Sequence, residues 1–514
     1  MTETSTRPGS TRDPMIFPLI LLLAAPLIAF NFGFIEVLPG LLATILLVAG
    51  LALFRLKTPS GPPVDRRLLA VCLGVGLVAI LLSGAGHFLY RTDDWSIRDA
   101  VLADLVAHPW PFTYQLDDKL QMIRAPLGMY LVPALAGKLW GLEAADLVMG
   151  VQNSLLTGLV LYFFAREAST WRNRIIILVV FLLFHGLSVF PELLKRSLLG
   201  ETFELLHARG WGGPLQYSFH ITQLFWVPNH GLAGWSVAAV YVAWRRREAD
   251  LASLALVIAL ALFWSPLAIM GGILLFGFSA VSRWRDEIVR LGSFAGPVLV
   301  GLGIVPVFLF MTKSVGSLPS GFLTNPLLLD LYGIKILTEV LPFAIIVWLD
   351  RRRSIDLRGQ WELLGLTLAM LLFPFYSIGV GDDFSRRAII PIMAVLSLGV
   401  GTALLHALNE RRRAALVIVT ILLFGAVSPL TEIARNLAVP ASPISTCNLL
   451  DARASGPFRK LGLEHYLVTA TAFTTPPGLF RQPAADPVGE TGRRCWGDGQ
   501  RQFILAPGVL DNDP

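Results

Sequence analysis

Long uninterrupted apolar runs recur along almost the whole chain, near 16–32, 36–55, 68–90, 126–141, 147–165, 175–191, 224–244, 250–264, 266–281, 289–311, 333–349, 361–380, 388–408 and 414–430. Most approach the roughly 20 residues a helix needs to cross the ~30 Å of bilayer hydrocarbon. A transmembrane β-barrel would instead show short segments of alternating polarity. In lipid the backbone must satisfy its own hydrogen bonds, and a continuous apolar run does so as a helix. Composition agrees: 54% of the 514 residues are hydrophobic and only 15% charged, against about 25% charged in a soluble domain. Mean hydropathy is +0.64. The expected fold is an all-α polytopic membrane protein.

The polar N-terminus, residues 1–15, lacks a small-residue cleavage site after the first run, so 16–32 reads as a retained span. The net charge of +6 does not call for nucleic acid. Basic residues gather in short loops: Arg55, Lys57, Arg66 and Arg67; Arg245–Arg247; Arg351–Arg353; Arg411–Arg413. This clustering assigns those loops to the cytoplasm. Segments 91–125, 192–222, 313–331 and 381–387, with the tail 431–514, then fall outside. Arg166, Arg172 and Arg174 break this parity if both 126–141 and 147–165 cross fully. Either 126–141, which carries Pro126 and Pro133, does not cross, or that loop breaks the rule; the expectation is about 13 spans. The tail reads as a small, loosely built appendage with β-prone runs YLVTATAF and RQFILA. Cys447 and Cys495 share it and invite a disulfide in an oxidising compartment, while Cys72 reads as a buried apolar residue.

Charge is scarce inside the runs, which disfavours an ion-coupled carrier. Lys335 and Glu339 are the main exception and fall on one helical face, as a structural pair or as the lining of an exterior cavity. The polar island 91–125 is the most informative exterior segment. Asp93 and Asp94 precede a run in which Ile97, Ala100, Val101 and Leu105 share one face, the pattern of a helix lying in the interface plane. Two readings of the acids stand. They cap that helix, with Ser96 and Asp99 as a loose capping box, or they present a carboxylate to a substrate hydroxyl or a metal.

Four further groups are candidates. Arg386 and Arg387, close to Asp382 and Asp383, either self-pair or clamp a phosphate. Lys195 and Arg196, on an amphipathic stretch with Leu194, Leu198 and Leu205, contact headgroups or the same phosphate. Asn229 and His230 open a span beside Trp226 and Trp235, as interface residues or as ligands for a sugar hydroxyl or phosphate. No metal-ligand cluster, P-loop, HExxH or nucleophile elbow is apparent.

The order of an acidic loop, then RAPLGMYLVPALAGKLWG (124–141), then NSLLTGLVLYFFARE (153–167) resembles the front of GT-C-type integral membrane glycosyltransferases; FWSP (263–266) resembles a mid-chain feature of the same group. The likeness covers about residues 86–170. Two apolar runs rather than one precede the run leading into the acidic loop, and no WWD motif for asparagine acceptors occurs. The resemblance implies a GT-C-like domain over 16–430 with exterior amphipathic helices, in a bacterial inner membrane. Its partners would be a polyprenyl-phosphate sugar donor, a lipid or glycan acceptor and membrane lipids. It implies Asp94 or Asp93 as the catalytic acid, Arg386, Arg387, Lys195 and Arg196 toward the donor phosphate, and His230 and Asn229 toward substrate. No cofactor is indicated, and a divalent metal is compatible with the acids but not called for. Competing readings are an envelope-polysaccharide polymerase or ligase, and a non-catalytic flippase or scaffold that would not need Asp93 and Asp94.

Overall fold

The computed structural model describes residues 12–56, 61–92, 94–116, 118–200, 217, 219–283, 291–314, 318–322, 332–353, 357–378, 383–441, 443–455, 463, 466–493 and 495. Asp93 and Asp382 lie outside these residues, as do the side chains of Lys195 and Arg196 and the run RQFILA.

The chain is built from helices. The first half comprises α1 (Ile16–Phe34), α2 (Val37–Leu56), α3 (Arg66–Leu82), α4 (Trp95–Ala107), α5 (Leu131–Trp140), α6 (Leu142–Ala165), α7 (Trp171–Leu183) and α8 (Val189–Leu199). The second comprises α9 (His220–Trp226), α10 (Pro228–Arg245), α11 (Leu251–Ala261), α12 (Ala268–Ser282), α13 (Ala295–Met311), α14 (Leu341–Arg353) and α15 (Leu357–Leu372). It closes with α16 (Asp383–Ala388), α17 (Ile390–Glu410), α18 (Arg412–Ala438) and α19 (Leu449–Ser455). Among the described residues seven helical segments are long and apolar enough to cross a membrane: Ile16–Phe34, Val37–Leu56, Leu142–Ala165, Gly292–Met311, Tyr332–Arg353, Ile390–Glu410 and Arg412–Ala438. α10 is buried along nearly its whole length and forms the centre of the bundle.

Backbone contact between small residues sets the tightest packing. A Cβ on Gly50 of α2 would sit 2.7 Å from the Gly296 carbonyl oxygen of α13, and one on Gly76 of α3 would sit 2.7 Å from the Gly158 amide of α6. Where lipid is as apolar as the helix, such close approach supplies the dispersion that associates helices.

The parity conflict turns on α5. It has ten residues, a length of about 15 Å, half of a hydrocarbon core. Lys138 in its last turn donates to the Val106 carbonyl of α4 at 3.3 Å. Arg166 at the end of α6 pairs with Asp13 and, at 2.7 Å, with Glu248. Arg246 pairs with Glu167 at 2.7 Å, and Arg174 with Asp65 at 2.8 Å. The basic residues of 166–174 therefore share one end of the bundle with Arg12, Asp250 and Arg246.

Three expectations about the other end are corrected. Helix α3 stops at Leu82, where Gly84 (φ +89°) and Gly86 (φ +78°) turn the chain, so His87 belongs to the loop rather than to a span. Helix α4 does not lie in an interface plane: Trp95 through Leu105 are buried on every side except at Arg98. The last run continues as helix to Ala438, and the tail beyond it is docked rather than loose. Within YLVTATAF, β5 (Leu467–Thr469) joins β2 (Lys119–Ile123), itself antiparallel to β1 (Thr113–Leu116), in a three-stranded sheet ordered β1-β2-β5. Asp451 of α19 accepts from the Thr491 amide at 2.8 Å and the Gly492 amide at 3.1 Å. Cys447 and Cys495 are bridged, with Cα atoms 5.8 Å apart.

Candidate functional site

The site is assembled around the first turn of α4. Asp94 occupies the N-cap position, but its side chain makes no capping hydrogen bond, and Ser96 Oγ has no partner either. Asp99 is committed to Arg91, so the capping box is not formed. The local job of holding α4 falls to Thr92, whose carbonyl accepts from Trp95 N at 3.0 Å, and to Trp95, whose indole donates to the Phe225 carbonyl at 2.7 Å. The Asp94 carboxylate is thereby left for other work.

Arg98, one turn later, is the hub. Its Nη2 lies 3.7 Å from Asp94 Oδ2, its Nη1 donates to Asn229 Oδ1 at 2.9 Å and approaches the Tyr130 hydroxyl at 3.4 Å, and its Nε donates to the Trp226 carbonyl at 3.1 Å. Asn229 in turn donates to the Trp264 carbonyl at 3.2 Å, and His230 Nδ1 is 2.7 Å from Ser265 Oγ. The FWSP break between α11 and α12 thus pins the first turn of α10, while Gly128 N donates to the Phe263 carbonyl at 2.9 Å. A chain break at a proline exposes carbonyls that a continuous helix would consume, and here Asn229 and Gly128 use them.

A third side comes from α16. Arg387 donates to Asp383 at 3.2 Å and acts electrostatically on Asp94 and His230. Arg386, its neighbour, acts instead on Glu339. The two arginines thus serve different surroundings. A fourth side is Tyr466 of the tail, which is electrostatically coupled to Asp94, Arg98, Asp383 and Tyr130. Its backbone is held by Arg124, whose amide donates to the Tyr466 carbonyl at 2.7 Å.

Asp94 keeps 27% of its side-chain surface accessible, Arg98 12%. Protein nevertheless surrounds the carboxyl closely enough that burial pushes it above the ordinary carboxylate value, against the pull of Arg98 and Arg387 and with a push from Asp383. This combination marks a recess with an open mouth: a carboxylate more basic than usual, still reachable, with two guanidinium groups nearby.

Of the sequence candidates, Asp94, Asn229, His230 and Arg387 come together. Arg386, next to Arg387 on the same short helix, acts electrostatically on Glu339. Lys335 and Glu339 are both buried, Glu339 in a π-helical turn (Ile336–Val340) and Lys335 just before it, with the Lys335 ammonium 3.6 Å from the Tyr217 ring centre and Glu339 Oε2 accepting from Tyr217 N at 3.0 Å. Sequence reading missed Arg98, Tyr130 and Tyr466. Arg98 carried a signal, an i,i+4 partner for Asp94 on one helical face; Tyr466 carried none, lying 372 positions from Asp94.

A second polar cluster lies beneath the first. His87, Asp99 and Asp146 bring their ligand atoms within 4.8 Å of one another. The positive charge there is Arg91, which bonds Asp99 at 2.6 Å and also Asp146, with His87 Nε2 2.9 Å from the same guanidinium. The Arg91 guanidinium sits among these groups and also stacks over Trp95 at 4.4 Å. Its work is to fix the loop that delivers Asp94.

No protein-family model, curated protein or solved structure matches this chain.

Proposed function

We propose that the chain is a membrane glycosyltransferase of the GT-C type, taking a sugar from a polyprenyl-phosphate donor to an acceptor hydroxyl at the exterior face of a bacterial inner membrane. On this reading the shorter apolar helices cross as well and α5 does not, for about 13 spans. The observation that carries the proposal is the accessible, basicity-raised Asp94 carboxylate set between Arg98 and Arg387.

The chemistry asked of such a site is a single displacement. Asp94 accepts the proton of the acceptor hydroxyl as its oxygen attacks the anomeric carbon. The bond from that carbon to the phosphate oxygen breaks, the configuration inverts, and the lipid phosphate leaves with the bonding pair. A base works best when its pKa lies near the working pH, and burial moves Asp94 in that direction while Arg98 pulls it back. Arg387 offers a planar donor set that matches phosphate oxygens. On this reading His230, half-buried in the first turn of α10, meets a sugar hydroxyl, and Asn229, bonded to Arg98 and the Trp264 carbonyl, holds that turn in place.

The test is transfer from a polyprenyl-phosphate sugar by purified protein in lipid vesicles, comparing wild type with Asp94→Asn. Loss of at least a hundredfold in rate with unchanged folding supports the proposal; full transfer by the variant refutes it. A flippase or scaffold would move or bind lipid equally well in both.

A further inference from the structure

The helix α17 starts beside Arg387 and runs 21 residues, about 30 Å, so its last turn lies at the opposite end of the bundle from Asp94. There a cleft of about 440 Å³ opens between α14, α17 and α18. All three belong to membrane-length helical segments. The cleft exists because Ala403, Ala407 and Ala414 stand where larger side chains would close it. Its apolar wall reaches outward through Leu349 and Val417, both exposed on the bundle's flank. Its rim is charged. His406 Nδ1 and Asp350 satisfy each other at 2.9 Å. That leaves Arg353, Glu410 and Arg411, whose side chains make no ion pair among the described residues.

We propose that this cleft binds one phospholipid with a zwitterionic headgroup ending in a primary ammonium, of the phosphatidylethanolamine type. The guanidinium groups of Arg353 and Arg411 match the phosphate, and Glu410 accepts from the ammonium. The acyl chains follow Leu349 and Val417 into the bilayer. Basic pockets between spans on the cytoplasmic side hold lipid headgroups through the phosphate. Here the free carboxylate among the guanidinium groups discriminates further. A phosphatidylglycerol headgroup leaves Glu410 facing a neutral diol, and a choline headgroup has no N–H to donate. The proposal does not depend on the activity assigned to the Asp94 site.

The experiment is native mass spectrometry of the full-length protein taken from nanodiscs containing equal parts of ethanolamine, choline and glycerol phospholipids. Wild type should retain the ethanolamine lipid about tenfold over choline, one decade in binding constant. Glu410→Gln should erase that preference while keeping phosphate-driven binding. Arg411→Gln should lower retention of all three lipids, as should Ala407→Leu, which fills the cleft. Arg413→Gln, in the same basic run but not lining the cleft, should behave as wild type. Equal retention of the three lipids by wild type overturns the proposal, as does a preference for glycerol lipid. Selectivity unchanged in Glu410→Gln, Arg411→Gln and Ala407→Leu together would overturn it too. The wild-type comparison decides even if a variant folds poorly.

Discussion

Arg98 and Asn229, 131 positions apart, are joined by a 2.9 Å hydrogen bond from Nη1 to Oδ1. The same guanidinium lies 3.7 Å from Asp94. This one side chain ties the acidic loop to the first turn of the central helix α10, so the position of the carboxylate and the position of the Asn229–His230 turn are set together.

Removing Arg98 should therefore shift a pH profile as well as a rate. Its charge lowers the Asp94 pKa, and a base acts only when ionised. Arg98→Gln should move the ascending limb of transfer activity to higher pH and reduce the plateau by roughly tenfold to a hundredfold. An unshifted limb would remove Asp94 as the titrating base.

Asp94 itself is not part of what holds α4. With no capping bond to lose, Asp94→Ala should change thermal stability by no more than about 0.5 kcal/mol. A capping role would cost about 1 kcal/mol on replacement by Ala and nothing on replacement by Asn. Thermal melts of both variants separate the two.

Arg91 should matter far more to stability. It is buried between Asp99 and Asp146, and its removal strands two like charges. Arg91→Met should destabilise by about 3–5 kcal/mol. Adding Asp146→Asn should recover part of the loss, because one uncompensated charge is then gone. Failure of the second change to help, measured by denaturation of the purified variants, would argue against the ion cluster.

Asp104 of α4 is buried and accepts from the Tyr114 hydroxyl at 2.7 Å and Leu449 N at 2.9 Å. Burial pushes its carboxyl up to about 7, against those two hydrogen bonds. The folded state thus binds this proton more tightly than the unfolded chain does. Its contribution to stability is complete below the unfolded value near 4 and is lost as pH rises through about 7. Asp104→Asn keeps an acceptor oxygen without the titration, so it should flatten the pH dependence of melting across that window. Asp104→Ala should cost about 1–3 kcal/mol by leaving both donors unmet.

The Cys447–Cys495 bridge closes a sequence separation of 48 residues and should stabilise the docked tail by roughly 4 kcal/mol on a chain-entropy basis. Because that tail supplies Tyr466, reduction should lower transfer activity along with stability. Thiol labelling of unreduced, folded protein should modify neither cysteine.

The helical, membrane-length character of the chain was legible from local pattern alone, because a continuous apolar run in lipid has one way to satisfy its backbone. The same local logic reached Asp94, Asn229, His230 and Arg387, since polar residues at the ends of such runs are few and each has a reason to be there. It also allowed for a segment 126–141 that does not cross, where the helix α5 has ten residues. Periodicity misread α4, however. Apolar spacing on one face marks a buried side but says nothing about what covers the opposite one, and here β1 and α19 cover Asp104 while Arg91, shared with Asp146 of α6, covers Asp99.

What the sequence determined by itself was the class of structure and the list of polar groups that lipid forces to the helix ends. Only the tertiary structure decided which of them meet. Arg387 acts on Asp94 and Arg386 on Glu339, because adjacent residues on one helical turn point about 100° apart and packing sets what each meets. Tyr466 arrives from the tail because β5 pairs with β2, a contact between distant segments that no local pattern encodes. The His87, Asp99 and Asp146 cluster closes on Arg91 for the same reason: its members come from a loop and two helices, and only their packing brings the charges together.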